Sequence, residues 1–252
     1  MLITPNSEIR VESCVDILVD CESKIVGSSY PMMSVPRKAL EGAGRVVARK
    51  LVERGVVGYV SLNFTAYKVE GGAEGEGNKN LRMIGTSIEP QLTAAACTYR
   101  FAKFICGEGA MLGSALSKSY SCLDHMYNPS LGSVQYGSFF KLCRMQAISY
   151  DLETMTGLVF LLVDNLSSGV MGLVAVGENT QESLAKIVEG LNFIKSNVGT
   201  PAAYNEVNLK DEGWEGSMVE FVRLLKSAED EAKKASVLHN KLKMKKLMKA
   251  AL

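Results

Sequence analysis

The segment GYVSLNF, residues 58–64, predicts a β-strand and raises the main question about this chain. Side chains with a polar group alternate with fully apolar ones, which is the period of a strand with two different faces. Asn63 lies on the polar side of this pattern. A carboxylate at that point would be a hard ligand for a metal ion at the edge of a nucleotide site, whereas an amide carries no charge.

The same strand predicts a hairpin. VVGYVSLNFTAYKV (56–69) is followed by GGAEGEGNKN (71–80), which is too rich in glycine and polar residues to pack, and LRMIGTSI (81–88) provides the returning strand. GGAEGEG lacks the GxxxxGK[ST] pattern and lies inside a hairpin, so it predicts a solvated loop, not a phosphate-binding loop. The carboxylates of Glu74 and Glu76 are accordingly interpreted as solvated charge.

Predicted helices and strands are mixed along the whole chain. Strands are expected within 8–20 and at 119–127, 147–152, 156–163 and 169–176. DLETMTG (151–157) predicts a tight connection, and DNLSSG predicts the turn of a buried hairpin in 156–176.

The predicted helices are marked by apolar periodicity and by terminal residues. They are expected in the second part of 30–55, with Leu40, Val47 and Leu51 on one face and Gly55 as a stop, at 89–109, at about 136–146 and at 178–199. The last helix carries a capping-box pattern around Thr180 and Ser183, and its apolar face is formed by Leu184, Ile187, Val188, Leu191 and Ile194.

Composition excludes several classes of protein. The 252 residues are 47% hydrophobic and 22% charged, and the formal net charge of +1 gives no global field for binding nucleic acid. The six cysteines form no CxxC pair and only two histidines are present. We therefore expect reduced thiols in a cytoplasmic compartment and no metal site. The sequence contains no secretory signal pattern and no apolar run long enough for a transmembrane segment.

Two acidic positions are weak candidates for chemistry. In CLDHMYNP, Cys122 with Asp124 and His125 suggests a nucleophile and its base, but neighbouring strand residues point to opposite faces, which favours a structural role. Asp164 offers an isolated carboxylate. In NPSLGSVQYGSFF, the aromatic side chains of Tyr136, Phe139 and Phe140 are expected to pack, and no ligand is assigned to them.

The C-terminal segment carries a local charge signal. After a polar linker at 200–213, residues 214–252 are predicted to be helical, and the lysines of NKLKMKKLMKAAL alternate with leucine and methionine. These lysines are the candidate partner-binding residues: Lys241, Lys243, Lys245, Lys246 and Lys249. Either they are a solvated helix end favoured by the helix dipole, or they bind an acidic partner such as a calmodulin-like groove, a tubulin or axonemal surface, or an anionic membrane.

The order of several segments resembles a known family. SYPMMSVPRKAL, RGVVGYVSLNF and the long run NPSLGSVQYGSFFKLCRMQAISYDLETMTGLVFLLVDNLSSGVMGLVAVGE with the helix after it look like the C-terminal part of the ATP-grasp-like domain of IQ-motif-containing protein H. The resemblance covers roughly residues 8–198. It implies an α+β fold class, with an ATP-grasp-like lobe at 1–199 in which helices flank a mixed or antiparallel sheet. In that architecture nucleotide and Mg²⁺ lie between two lobes, and this chain is similar to the second lobe.

The resemblance also implies where ligands would be expected. The family usually has an aspartate at the position of Asn63, and Asp, Asn and Arg at alternate positions of the returning strand, which fall on Met83, Gly85 and Ser87 here. None of these four is a carboxylate or a cation, so no catalytic, cofactor or metal residue is predicted. Shifting the alignment by two residues would bring Glu89 to the arginine position and would not restore the site.

Two functions remain open at this point. The first is a non-catalytic scaffold built on a degenerate ATP-grasp lobe, with a cilium, flagellum or cytoskeleton association by analogy with the family. The second is an ATP-dependent carboxylate-amine ligase-type module, with ATP and Mg²⁺, that a partner chain completes. The chain contains no IQxxxR pattern.

Overall fold

The computed structural model describes residues 1–19, 25–68, 81–108 and 115–198. The predicted loop at 71–80, Gly199, the linker at 200–213 and the extension at 214–252 lie outside these ranges. Contacts divide the chain into two compact units. The first comprises residues 1–17 and 28–119, and the second comprises 18–27 and the described residues from 120 onwards.

Within the described residues the fold is a mixture of helices and antiparallel strand pairs, which confirms the predicted α+β class. The strands are β1 (Leu2–Ile3), β2 (Ile9–Arg10), β3 (Asp16–Val19), β4 (Ile25–Tyr30), β5 (Gly58–Tyr59), β6 (Ser61–Lys68), β7 (Leu81–Glu89), β8 (Ser119–Tyr127), β9 (Gly157–Leu161) and β10 (Val170–Gly177). The α-helices are α1 (Arg37–Glu53), α2 (Ala94–Ile105), α3 (Tyr136–Met145) and α4 (Thr180–Asn197).

The first unit contains two small sheets, β2-β1-β5 and β6-β7. Its apolar core is centred on Ile3, Ala48 and Val60, each 1% exposed. Of the predicted apolar face of α1, Leu51 packs against this core, and the buried residues of the helix are the small Gly44 and Ala48. The helix ends as predicted, because Gly55 has φ +75° and its N–H donates to the carbonyl of Val52 at 2.9 Å.

The start of α2 differs from the prediction. A helix was expected over 89–109, yet β7 continues to Glu89 and the helix begins after Thr93. The Thr93 hydroxyl pairs with that of Ser61 at 2.8 Å, which fixes the N-cap residue of the helix against β6. The helix faces are also unusual, because Lys103 is 4% exposed whereas the neighbouring Phe104 is 78% exposed.

The second unit contains most of a five-stranded sheet with the order β3-β4-β8-β10-β9. The predicted hairpin is confirmed as β9 paired with β10, with Phe160 opposite Leu173. A 3-10 helix, Val163–Ser168, makes the connection. The predicted packing of the aromatic residues is clearest for Phe139, which is 1% exposed and whose ring centroid lies 5.2 Å from that of Phe160. Tyr136 is 45% exposed and lies against Phe140, with 5.5 Å between the ring centroids.

Helix α4 packs on β9 and β10, as predicted. Ile187, Leu191 and Ile194 are at most 1% exposed and belong to the core of the second unit. The N-cap lies one residue before the predicted one: Asn179 Oδ1 accepts from the Glu182 N–H at 2.9 Å. Glu182 Oε2 accepts from the N–H of Glu178, the residue before the cap, also at 2.9 Å.

The prediction of a strand at 147–152 is wrong. The side chain of Asp151 accepts hydrogen bonds from the Glu153 N–H at 2.9 Å and from the Thr154 hydroxyl at 3.0 Å, which closes a turn. Only a single bridge, between Asp151 and Thr156, remains of β pairing in this segment. The tight connection predicted for 151–157 is therefore present, without the strand expected before it.

Candidate functional site

The candidate site lies on the β6-β7 hairpin, which is present as predicted. The strands are antiparallel, and Ser61 lies opposite Glu89 and Asn63 opposite Ser87. Residues directly opposite each other in such a pair have side chains on the same face of the ribbon. The hairpin therefore brings Asn63, Ser87 and Glu89 together on one face.

Hydrogen bonds join these three side chains. The Asn63 Nδ2 donates to Ser87 Oγ at 2.7 Å and to Glu89 Oε1 at 2.8 Å. The Ser87 hydroxyl also donates to Glu89 Oε1, at 3.2 Å. An amide nitrogen has two protons, so both donors of Asn63 are used within this cluster.

The register contains a β-bulge that the sequence pattern did not indicate. Asn63 pairs with Ser87 but the next residue, Phe64, pairs with Gly85, so Thr86 is the extra residue. A Cβ on Gly85 would lie 3.7 Å from Cε1 of Phe64, which places that position on the opposite face from Asn63.

The bulge separates the four positions predicted from the resemblance. Asn63 and Ser87 are brought together, whereas Gly85 lies opposite Phe64 and Met83 lies opposite Ala66, on the other face. Glu89, which the sequence reasoning dismissed as a replacement for arginine, is the charged member of the cluster. A bulge changes which side chains of a strand lie on a given face. It depends on how the two strands pair, so the sequence pattern alone gives no signal for it.

The chemistry of the cluster is limited. It offers one carboxylate, one hydroxyl and one amide whose nitrogen already donates to the carboxylate. Mg²⁺ requires several oxygen ligands in octahedral geometry, and metal-bound phosphate sites in proteins add a cation. Across the described residues no group of three or more His, Cys, Asp or Glu side chains could hold a metal ion.

The sequence did not predict a second polar cluster, which lies in the first unit. Arg100 Nη2 forms an ion pair with Glu12 Oε2 at 2.6 Å and donates to the Tyr59 hydroxyl at 2.7 Å. Its guanidinium carbon lies 5.6 Å from the centre of the Tyr59 ring, and the side chain of Glu12 is 8% exposed. The three residues are far apart in the chain, so no local pattern could have indicated this pair. A buried ion pair of this kind fixes geometry and costs several kcal/mol when one partner is removed.

The Cys122, Asp124 and His125 group does not form a catalytic arrangement. The Cys122 thiol donates to Asp124 Oδ1 at 3.3 Å, and Cys122 is fully buried whereas His125 is exposed. Burial raises the pKa of the Asp124 carboxyl, against opposing effects of the Cys122 hydrogen bond and the charge of His125. A nucleophile needs an accessible thiol with a lowered pKa, so the predicted structural role agrees with this geometry.

Of the remaining candidate residues, the structure describes Asp164. Asp164 lies on the exposed surface of the 3-10 helix after β9. Glu74, Glu76 and the five tail lysines lie outside the described residues. Within the described part of the chain, no helix combines the length and the apolar content needed to cross a membrane.

Comparison with known proteins confirms the predicted resemblance. Residues 1–89 match the family model described as IQCH-like, ATP-grasp. The chain is 22% identical over 220 residues to IQ motif-containing protein H of Danio rerio. The aligned part is 84% of this chain and 20% of that protein, so the chain spans about a fifth of the length of the curated relative it matches.

Proposed function

We propose that this protein is a non-catalytic interaction or scaffold protein built on an ATP-grasp-like lobe that has lost its nucleotide site. The observation that carries the proposal is the position of Asn63. Where the resemblance implies a metal-binding aspartate, the amide of Asn63 donates to Glu89 and Ser87 and offers no negative charge.

The charge of the cluster supports this proposal. Replacing an aspartate by asparagine removes one negative charge, and Oε1 of Glu89 is already an acceptor for two donors within the hairpin. Ser87 supplies no cation for a phosphate, and the bulge directs Met83 and Gly85 to the other face. A magnesium-bound triphosphate would therefore find one carboxylate and no guanidinium within this cluster, since Arg82 shares the face but lies opposite Tyr67, four residues further along β6.

Nucleotide binding is the direct test. Because a ligand that binds only the folded protein must stabilise it, the melting temperature should be the same with and without millimolar ATP and Mg²⁺. Titration calorimetry with ATP and Mg²⁺ is the second readout. Magnesium-dependent binding tighter than about 100 μM, about 5 kcal/mol of binding free energy, would overturn the proposal. If such binding occurred, its loss in Glu89→Gln would assign it to this cluster.

We further propose that the basic tail binds the partner. The chain is nearly neutral overall, and five lysines lie within residues 241–249 beside leucine and methionine. Such a segment offers charge and apolar area to an acidic protein surface, of the calmodulin-like or tubulin and axonemal kind. The name of the Danio rerio relative refers to an IQ motif. This chain has no IQxxxR pattern, so we propose the tail as the segment that contacts an acidic protein partner.

Variants of the tail test this proposal. Affinity capture from the source cell should identify a partner with the full chain and lose it, in a salt-dependent manner, when residues 240–252 are deleted. Replacing the five lysines by glutamine should have nearly the same effect, whereas replacing them by arginine keeps the charge and should preserve most of the binding. Asn63→Ala is the control that should not change it. Equal capture by the deletion variant would place the binding surface elsewhere.

The proposed location follows from the proposed partner. We infer a cytoplasmic protein that associates with a cilium, a flagellum or the cytoskeleton. A fluorescent fusion in ciliated cells should colocalise with axonemal tubulin, and the lysine-to-glutamine variant should be diffuse. A wild-type fusion that is diffuse in the same cells would argue against this location.

The alternative function is an ATP-dependent carboxylate-amine ligase-type module completed by another chain. It is favoured by Glu89, which keeps one carboxylate in the cluster, and by the fact that the aligned region is only 20% of the relative's length. The two proposals differ in one measurement. A complex with the captured partner should gain thermal stability from ATP and Mg²⁺ under the ligase alternative, and should not under the scaffold proposal.

A further inference from the structure

We draw no further inference here: the strongest candidate, the apolar stripe that Ala94, Cys97, Phe101 and Phe104 form along the outer side of helix α2, carries nothing because no contact within the described part of the chain shows what covers it.

Discussion

The side-chain amide of Asn63 and the carboxylate of Glu89 face each other across the β6-β7 hairpin, with 2.8 Å between Nδ2 and Oε1. The amide is the donor of this pair, and its second proton goes to Ser87. The pair therefore depends on asparagine being neutral. A carboxylate in its place would have no proton to donate and would meet a second negative charge.

We expect Asn63→Asp to lower the free energy of unfolding by about 1 kcal/mol at neutral pH, since it removes a hydrogen bond and places like charges in contact at a partly exposed site. Chemical denaturation of the two proteins measures this difference. The double variant Asn63→Asp with Glu89→Gln restores a donor opposite the new carboxylate and should recover most of the loss. An Asn63→Asp protein as stable as the wild type would show that the pair does not persist in solution.

Leu191→Ala should cost about 2 to 5 kcal/mol of unfolding free energy, because a fully buried leucine leaves a cavity between α4 and the sheet. Leu191 is 1% exposed, whereas Leu152, a leucine in the turn that precedes β9, is 79% exposed. Leu152→Ala is therefore the matched control and should stay within about 0.5 kcal/mol of the wild type. Similar losses in both variants would contradict the assigned core.

A change of side-chain size should alter the unfolding free energy on the buried side of α2 and leave it nearly unchanged on the exposed side. Ala102 is fully buried, so Ala102→Leu should overpack the first unit and cost about 1 to 3 kcal/mol. Phe104 is 78% exposed, so Phe104→Ser should change the unfolding free energy by less than about 0.5 kcal/mol. A large loss on removing Phe104 would mean that the helix is rotated from the orientation described above.

The stability of Asp124→Asn should depend on pH differently from that of the wild type. Burial raises the pKa of Asp124 above its ordinary 3.8, so the folded state holds this proton more tightly than the unfolded state. Ionisation therefore destabilises the fold as the pH rises through the raised pKa, and acidification below the ordinary value removes the penalty. The asparagine keeps an acceptor for the Cys122 thiol and has no charge.

Unfolding curves at a series of pH values between about 3 and 7 measure this effect. The variant should gain stability relative to the wild type as the pH increases through this range, and the gain should level off above the raised pKa. Parallel curves for the two proteins would show that Asp124 is solvated in the folded state.

Thiol labelling should separate the described cysteines by burial. Cys97 is exposed, whereas Cys143 is 2% exposed and burial raises its pKa to about 11. With that pKa, only about one Cys143 in a thousand is a thiolate at pH 8, so it should react far more slowly than Cys97. Mass spectrometry of the labelled native protein gives the order, and a Cys97→Ser variant identifies the fast site. Rapid labelling of Cys143 in the native protein would contradict its burial.

Elements with strong local periodicity were predictable from the sequence. Helix α4 follows from its apolar spacing, and the β9-β10 hairpin follows from two apolar runs around a turn-forming segment, because in both cases the pattern and the packing face agree. The strand expected at 147–152 failed because the side chain of Asp151 bonds to the local backbone and replaces strand pairing with a turn.

The composition of the candidate site was only partly predictable. The sequence draws attention to Asn63, but the relation of Asn63 to Glu89 depends on the extra residue at Thr86, and a bulge is visible only once both strands are paired. The contact between Arg100 and Glu12 joins positions 88 residues apart, and neither residue lies in a pattern that indicates the other.

The order of strands in the second unit has a consequence for synthesis of the chain on the ribosome. Strand β4 lies between β3 and β8 in the sheet. It ends at Tyr30, whereas β8 does not begin until Ser119. At roughly 5 to 20 residues per second, the partner strand is translated roughly 5 to 20 seconds later. During that interval the nascent β4 has an unpaired edge, and the first unit is the part of the polypeptide that can mature before the second.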